Sequence, residues 1–232
     1  MKQLIKGLME MTPYQIVRRQ GPKRNYSQDD YDAIAHNSME NMDKLFADDE
    51  FLAGYFNAAR ERLHRATLKL IEEARPAKGQ GVVGDFGCGP GDFFTVMAPA
   101  YPGYSFYGYD RSEAALAAAR QRYPAGQFQS FDIYTPAPRR HDITICSQTI
   151  EHLQEPEIAL QTLIGATKPG GVLIITVPNG RTDTFRGHIN FWSPESWQFW
   201  LKRNVSQPFK VSKIDKGTSG GANLAAMIEM PG

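Results

Sequence analysis

The chain is poor in cysteine: its 232 residues include two, Cys88 and Cys146. Both stand in apolar, strand-like stretches, "DFGCGPG" and "DITICSQ", where a reduced, buried thiol is the expected state rather than half of a disulfide. No apolar run approaches the roughly 18 residues that a membrane-spanning helix needs. The N-terminal "LIKGLMEM" is broken by Lys6 and Glu10, so no secretory signal peptide is expected. Neither sign of charge dominates, with 26 Lys and Arg against 25 Asp and Glu and a net charge of +1. That balance argues against a general nucleic-acid or polyanion binder, which rests on many phosphate-neutralising cations, while leaving room for a local basic patch. Internal repeats and low-complexity tracts are missing too. The expectation is a cytoplasmic protein with no membrane partner; composition leaves monomer and homodimer open.

What is present is 41% hydrophobic content, enough for one sizeable core. Up to about Gln80 the pattern is helical, and "SMENMDKLFADDEFLAGYFNAARERLHRATLKLIEEA" spaces apolar residues by three and four. Ahead of it, "RRQGPKRNYSQDDYDAIA" reads as a polar, basic loop or arm. From Gly81 the period changes. "GVVGDFG", "YSFYGYD", "GQFQSFDI", "HDITICSQ" and "VLIITVPN" read as strands, alternating with helices at "DFFTVMAPAY", "SEAALAAARQRY" and "PEIALQTLIGATK". Ser112 is placed to cap the second of these helices, and "KPGG" to close the third. "FKVSKID" and "NLAAMIEM" suit a terminal antiparallel hairpin. Strands alternating with helices imply a parallel sheet covered on both faces. The expected fold is a doubly wound α/β domain over 81–232, with a seven-stranded, mostly parallel sheet, preceded by a helical cap over 1–80.

The segment "VVGDFGCGPGDFFTVM" puts Gly87, Gly89 and Gly91 where the first strand hands over to the first helix. In such a fold the ligand crevice lies at the carboxyl ends of the strands. Glycines there let the backbone turn tightly and let a ligand approach without meeting a Cβ. The next helix offers its unpaired N–H groups to the same ligand. The spacing departs from the dinucleotide fingerprint G-x-G-x-x-G, because the third glycine comes one residue early. No Gly-Lys-Ser/Thr follows, so it is not a phosphate-binding P-loop either. Two acids bracket the turn. Asp85 suits a ligand ammonium and would repel a pyrophosphate, and Asp110, at the end of the second strand, suits ribose hydroxyls.

"GDFGCGPGDF", "YGYDRS", "FDIY" and "KPGGVLIITVPN" occur in that order from about Val82 to Asn190, and together resemble the successive motifs of class I S-adenosylmethionine-dependent methyltransferases. The resemblance implies S-adenosyl-L-methionine as cofactor. It implies Asp85 and the Gly87–Gly89 backbone against the methionine moiety, and Asp110 on the ribose. Asp132 and Ile133 would meet the adenine, with Phe131 or Tyr134 as an apolar wall. Arg111, next to Asp110, and Gln148, after the fourth strand, complete the expected cofactor-binding set. Cys88 lies within it, read as a small packing residue.

Methyl transfer from a sulfonium needs alignment and sometimes removal of a proton, but no covalent enzyme intermediate. Acceptor contacts are therefore sought in "SQTIEHLQEP" and "PNGRTDTFRGHINFWSPESWQFW". His188 is the first choice for a general base, with a structural role weighed equally, and His152 is the second. Glu151, Arg186, Trp192 and Tyr31 are the expected substrate contacts. The alternatives are that Glu151 and His152 orient the helix beneath the site and that Trp192, like Trp197, Phe199 and Trp200, belongs to core or cap packing. Tyr31 and Tyr26 belong to an arm expected to close over the cofactor. No role is assigned to His36 or His64, and no metal is expected. The leading reading is a methyltransferase for a small-molecule acceptor such as a sugar, polyketide or other secondary metabolite, methylated at oxygen or nitrogen. A second is a metal-dependent enzyme: Gln148-x-x-Glu151-His152 with His188 is similar to the metal-binding element of small-RNA 3′-terminal 2′-O-methyltransferases. Gln148 there puts a neutral amide where a hard cation prefers a carboxylate. A nicotinamide-dependent oxidoreductase is disfavoured by the early third glycine and by Asp85, and a cofactor-binding protein without catalysis is the remaining alternative.

Overall fold

The computed structural model describes residues 36–74, 76, 79–215 and 222–232. The arm at 18–35, with Tyr26 and Tyr31, lies outside the described residues. The helical stretch after it divides into α1 (Met39–Phe46), α2 (Asp49–Tyr55) and α3 (Ala58–Glu73). The divisions follow from local chemistry. Ser38, Asp48 and Asn57 turn their side-chain oxygens onto the amides of Asn41, Phe51 and Ala59, so each starts a new helix.

The remaining elements are β1 (Gly81–Phe86), α4 (Asp92–Ala100), β2 (Tyr104–Asp110), α5 (Glu113–Arg122), β3 (Gln127–Ser130), β4 (His141–Ser147), α6 (Pro156–Gly165), β5 (Thr167–Pro178), α7 (Pro194–Asn204), β6 (Phe209–Asp215) and β7 (Ala222–Glu229). The sheet order is β3-β2-β1-β4-β5-β7-β6. The first five strands pair in parallel, and β7 enters antiparallel between β5 and β6. The expected doubly wound sheet with its C-terminal hairpin is therefore the observed fold. One boundary differs. Helix α6 ends at Gly165, and "KPGG" lies inside β5 rather than in a closing turn. There Gly170 takes φ 72° and the β4–β5 register shifts between His141 and Ile143, so a kinked strand start absorbs the turn residues.

Strand β5 shows why the sheet is covered twice. Leu173, Ile175 and Val177 pack with Leu160, Leu163, Trp197 and Leu201 on one face. Val172 and Ile174 pack with Ile71, Phe94 and Met97 on the other. A period of two thus serves two cores. Truncating the fully buried Leu173 to alanine would cost about 2–5 kcal/mol. Between the strands His141 is fully buried, its Nδ1 3.1 Å from the Ala166 carbonyl and its Nε2 3.1 Å from the Tyr109 hydroxyl. Burial lowers its pKa to about 4, so the ring is neutral, donating at Nδ1 and accepting at Nε2.

The sheet order reverses between β1 and β4, and this switch point fixes where a ligand crevice opens.

Candidate active site

At the carboxyl ends of β1, β2 and β4 lies a cavity of about 920 Å³. Its first end is the glycine turn. Gly87 and Gly89 take φ 78° and 51°, in the left-handed region that other residues reach only with strain. The amides of Gly87 and Cys88 donate to the Tyr109 carbonyl at 2.7 and 3.1 Å. The Gly89 amide donates to Asp110 Oδ2 at 2.8 Å, and the Ser112 amide to Asp110 Oδ1 at 3.0 Å. Asp110 thereby clamps the turn to the start of α5. A Cβ on Gly87 would collide with the Thr149 hydroxyl, and one on Gly89 would stand 3.1 Å from the Tyr55 hydroxyl.

Beneath this turn the charges are concentrated. Asp85 is 3% exposed, and its Oδ1 has no hydrogen-bond partner among the described residues. Burial raises the Asp85 pKa well above the usual carboxylate range, and the nearby Asp92 and Asp110 push it the same way, against Arg60. Burial also raises Asp92 and Asp110. Arg60 stands 3.9 Å from Asp92 Oδ2 and 3.7 Å over the centre of the Tyr55 ring. Three acids with one guanidinium, one acid having an orphaned oxygen, make a setting that an ammonium or sulfonium group would complete. The residues present therefore fit S-adenosylmethionine.

The second end is built by loops. A 3-10 turn, Ile150–His152, follows β4. The Glu151 carbonyl accepts the amides of Ile189 and Asn190, each at 3.0 Å, which folds the loop after β5 back over that turn. His152 Nδ1 lies 3.0 Å from the Gly187 carbonyl, which also accepts Asn37 Nδ2 at 2.7 Å. Burial, with the neighbouring His188, lowers the His152 pKa to about 4. His188 Nδ1 meets Asp183 Oδ2 at 2.5 Å, and its Nε2 stands 3.9 Å from Oε1 of the fully buried Glu151. The two histidine rings are 4.6 Å apart. Ligand-type atoms of Glu151, His152 and His188 all lie within 4.8 Å of one another. Gln148, at the mouth of β4, has φ 54° and is the one non-glycine residue with positive φ among the described residues. Its amide donates to the Thr176 carbonyl at 2.9 Å and its Nε2 to the Thr176 hydroxyl at 3.3 Å, bonds that offset about 1–3 kcal/mol of strain.

Of the expected cofactor set, Gly87, Gly89, Asp110, Arg111, Ile133 and Gln148 line the cavity, as do the proposed walls Phe131 and Tyr134. Asp132 does not. It is exposed, and its Oδ1 accepts the Tyr134 amide at 3.1 Å, an Asx turn that sets Ile133 and Tyr134 on the wall. Cys88 is buried within the turn, its Sγ 3.5 Å from the Gly89 carbonyl, and its pKa is raised well above the thiol range by burial. Asp85 and Glu151 stand behind the wall rather than on it. His152 and His188 line the far end. Two expected substrate contacts lie elsewhere. Trp192 is 7% exposed because it packs on Trp197 and Trp200 in the core, and Arg186 is exposed on a separate surface dip with Asp183 and Phe185. Tyr31 lies outside the described residues. Sequence reasoning missed Asp183, Asn37, Tyr55 and His36, the last now on the cavity wall. The only signal was a carboxylate five residues before His188 in the same loop.

A methyltransferase-domain family matches residues 55–204. The trans-aconitate 2-methyltransferase of Delftia acidovorans is 35% identical over 133 residues, which are 56% of this chain and 49% of that protein. That of Variovorax paradoxus is 37% identical over 120 residues, 51% of this chain and 44% of that protein. The chain thus spans about half the length of the curated relatives it matches. Among solved structures, the N-methyltransferase NodS from Bradyrhizobium japonicum, in complex with S-adenosyl-L-homocysteine, superposes with a TM-score of 0.67 at 17% identity, covering 84% of this chain and 98% of that one. The methyltransferase domain of bacterial CtHen1-C does so with 0.62 at 16%, covering 75% and 100%. At such identities these two establish a shared fold. On the family match, the sheet order and the glycine turn together, the chain belongs to the class I S-adenosylmethionine-dependent methyltransferases.

Proposed function

We propose that the protein transfers a methyl group from S-adenosylmethionine to a small-molecule acceptor, such as a sugar, polyketide or other secondary metabolite. The observation that carries this reading is a single cavity with the acid-lined glycine turn at one end and the His152–His188 pair at the other. When bound, the cofactor supplies a methyl carbon activated by a positive sulfonium. The chain's own part is alignment, charge and water exclusion. Asp85 and Arg60 hold the amino-acid end, Asp110 the ribose, and Ile133 with Tyr134 the base. Helices α1 and α2 cover the turn, so that Tyr55 and Phe46 keep water from it. His188 takes a proton from the acceptor, and His152 borders the same space. The helical segment before residue 81 serves as a cap and the rest as the catalytic domain. The trans-aconitate of the relatives' names falls within the proposed small-molecule class.

Calorimetric titration tests the reading. S-adenosylhomocysteine should bind, and NAD should give little heat under the same conditions. Tighter binding of NAD would overturn it. With an acceptor in hand, His188→Ala should lower kcat by roughly 10²–10⁴-fold with cofactor affinity intact.

A further inference from the structure

The carboxyl-terminal edge of the sheet carries a row of polar side chains on the face that packs against α3. Val83, Ile145 and Ile174 belong to the core on that face, and Ala225 packs there with Leu63 of α3. The period of two then puts Asp85, Ser147, Thr176 and Asn223 on the same face, across β1, β4, β5 and β7. The middle of the row satisfies itself. Ser147 Oγ lies 2.8 Å from Thr176 Oγ1, which also accepts Gln148 Nε2 at 3.3 Å. The two ends do not. Asp85 Oδ1 and Asn223 Oδ1 are both buried with no hydrogen-bond partner among the described residues. Asn223 is 4% exposed and lines the cavity, as do Ala59 and Leu63 of α3.

An orphaned buried carbonyl is destabilising, so a bound molecule that brings it a donor gains what the empty cavity lacks. Asp85 belongs to the amino-acid end of the cofactor in the reading above. Asn223 stands away from that group, because β1 and β7 are three strand spacings apart, about 14 Å. The other residues assigned to the cofactor, Asp110, Ile133 and Tyr134, lie the opposite way, towards β2 and β3. Asn223 therefore borders the part of the cavity left to the acceptor. Resting on the methyltransferase reading, we infer that Asn223 is a specificity-determining residue for the acceptor, its side-chain carbonyl taking a hydrogen bond from a hydroxyl or N–H group of that molecule. Alcohols, phenols and neutral amines share this chemistry. A fully ionised polycarboxylate brings no donor near neutral pH and would set oxygen against oxygen.

The test uses the full chain saturated with S-adenosylhomocysteine. The Asn223 side-chain amide is followed by nitrogen-15 NMR and assigned by its loss in Asn223→Leu. Phenol and aniline supply an O–H and an N–H donor, and anisole and N,N-dimethylaniline are the same rings without one. Phenol or aniline should shift the Asn223 amide and bind roughly 5–150-fold more tightly than its methylated counterpart. Which of the two binds more tightly tells a hydroxyl from an amine. Trans-aconitate should leave the resonance in place. Asn223→Leu should abolish the preference, and Asn223→Thr, which keeps an acceptor oxygen, should retain part of it. Without fragments, Asn223→Leu should unfold at a higher urea concentration than the wild type, because the orphaned group is gone, and should bind S-adenosylhomocysteine within about twofold of it. Equal binding of donor and methylated rings, binding of neither, or a shift with trans-aconitate overturns the inference. So does a lower urea midpoint in Asn223→Leu, which would make the residue structural, or a lost S-adenosylhomocysteine affinity, which would move it to the cofactor. Failure of S-adenosylhomocysteine to bind the wild type would instead overturn the methyltransferase reading itself.

Discussion

One oxygen of Asp110 accepts the amide of Gly89 at 2.8 Å, so the acid ending β2 grips the turn that follows β1. The residue therefore shapes the turn as well as facing a ligand. Asp110→Ala should weaken S-adenosylhomocysteine binding by about 1–3 kcal/mol, because ribose hydroxyls and the Gly89 amide both lose an acceptor. Asp110→Asn should retain part of the affinity by keeping one oxygen. Calorimetry on the three proteins checks the order, and equal affinities would remove Asp110 from the site.

A second acid reaches the same corner from α1. Ser112 Oγ donates to Asp43 Oδ1 at 2.6 Å, and the Ala114 amide reaches the same oxygen at 3.2 Å. Asp43 thus shares the capping of α5 from another helix. Asp43→Ala should lower unfolding stability by about 1–2 kcal/mol. Urea denaturation at equal m-value is the measurement, and an unchanged midpoint would contradict it.

The spacing among Glu151, His152 and His188 invites a metal, and the expected result is none held tightly. His188 Nε2 and Glu151 Oε1 stand 3.9 Å apart, wider than the roughly 3.3 Å between ligands in a tetrahedron with bonds of about 2.0–2.1 Å. A hard cation would also find one carboxylate where it prefers several oxygens. Elemental analysis of protein purified without chelator decides the matter. A stoichiometric divalent ion, lost on His152→Ala or His188→Ala, would favour the metal-dependent RNA-type alternative.

The pH dependence of stability should carry the mark of His141. Its folded-state pKa, about 4, lies below the unfolded value near 6.5, so on acidification the unfolded chain takes up the proton first. The contribution is fully present above about pH 6.5 and drains away as pH falls towards 4. The pKa difference corresponds to about 3 kcal/mol at most. His141→Gln cannot titrate and should show a correspondingly flatter fall between pH 7 and 4 in denaturant unfolding. A mutant and wild type with parallel profiles would refute the assignment.

The sequence made the sheet legible because β4 and β5 are apolar runs with few competing interpretations, and Ser112 announced its helix by a local hydrogen bond. The division of the N-terminal helices was harder, since Asp48 and Asn57 are capping residues inside an unbroken three-four apolar spacing. At the site, Gly87, Gly89 and Asp110 were readable because backbone geometry demands those residue types at those positions. Asp183 and Asn37 were not. Their contacts with His188 and with the Gly187 carbonyl are set by tertiary folding, and nothing in the local pattern distinguishes them from loop polarity. For Trp192 the sequence left core packing and a substrate contact both open. The structure places it in the core, against the rings of Trp197 and Trp200 from the next helix.

The Gly187 carbonyl accepts from Asn37 on one side and from His152 on the other. An oxygen has two lone pairs, so this atom is saturated by donors from the segment before α1 and from the turn after β4 together. The two cannot be adjusted separately. Displacing the segment around Asn37 would remove one of the two donors and leave this carbonyl with the bond from His152. The segment before α1 and the far wall of the cavity thus meet at one carbonyl group.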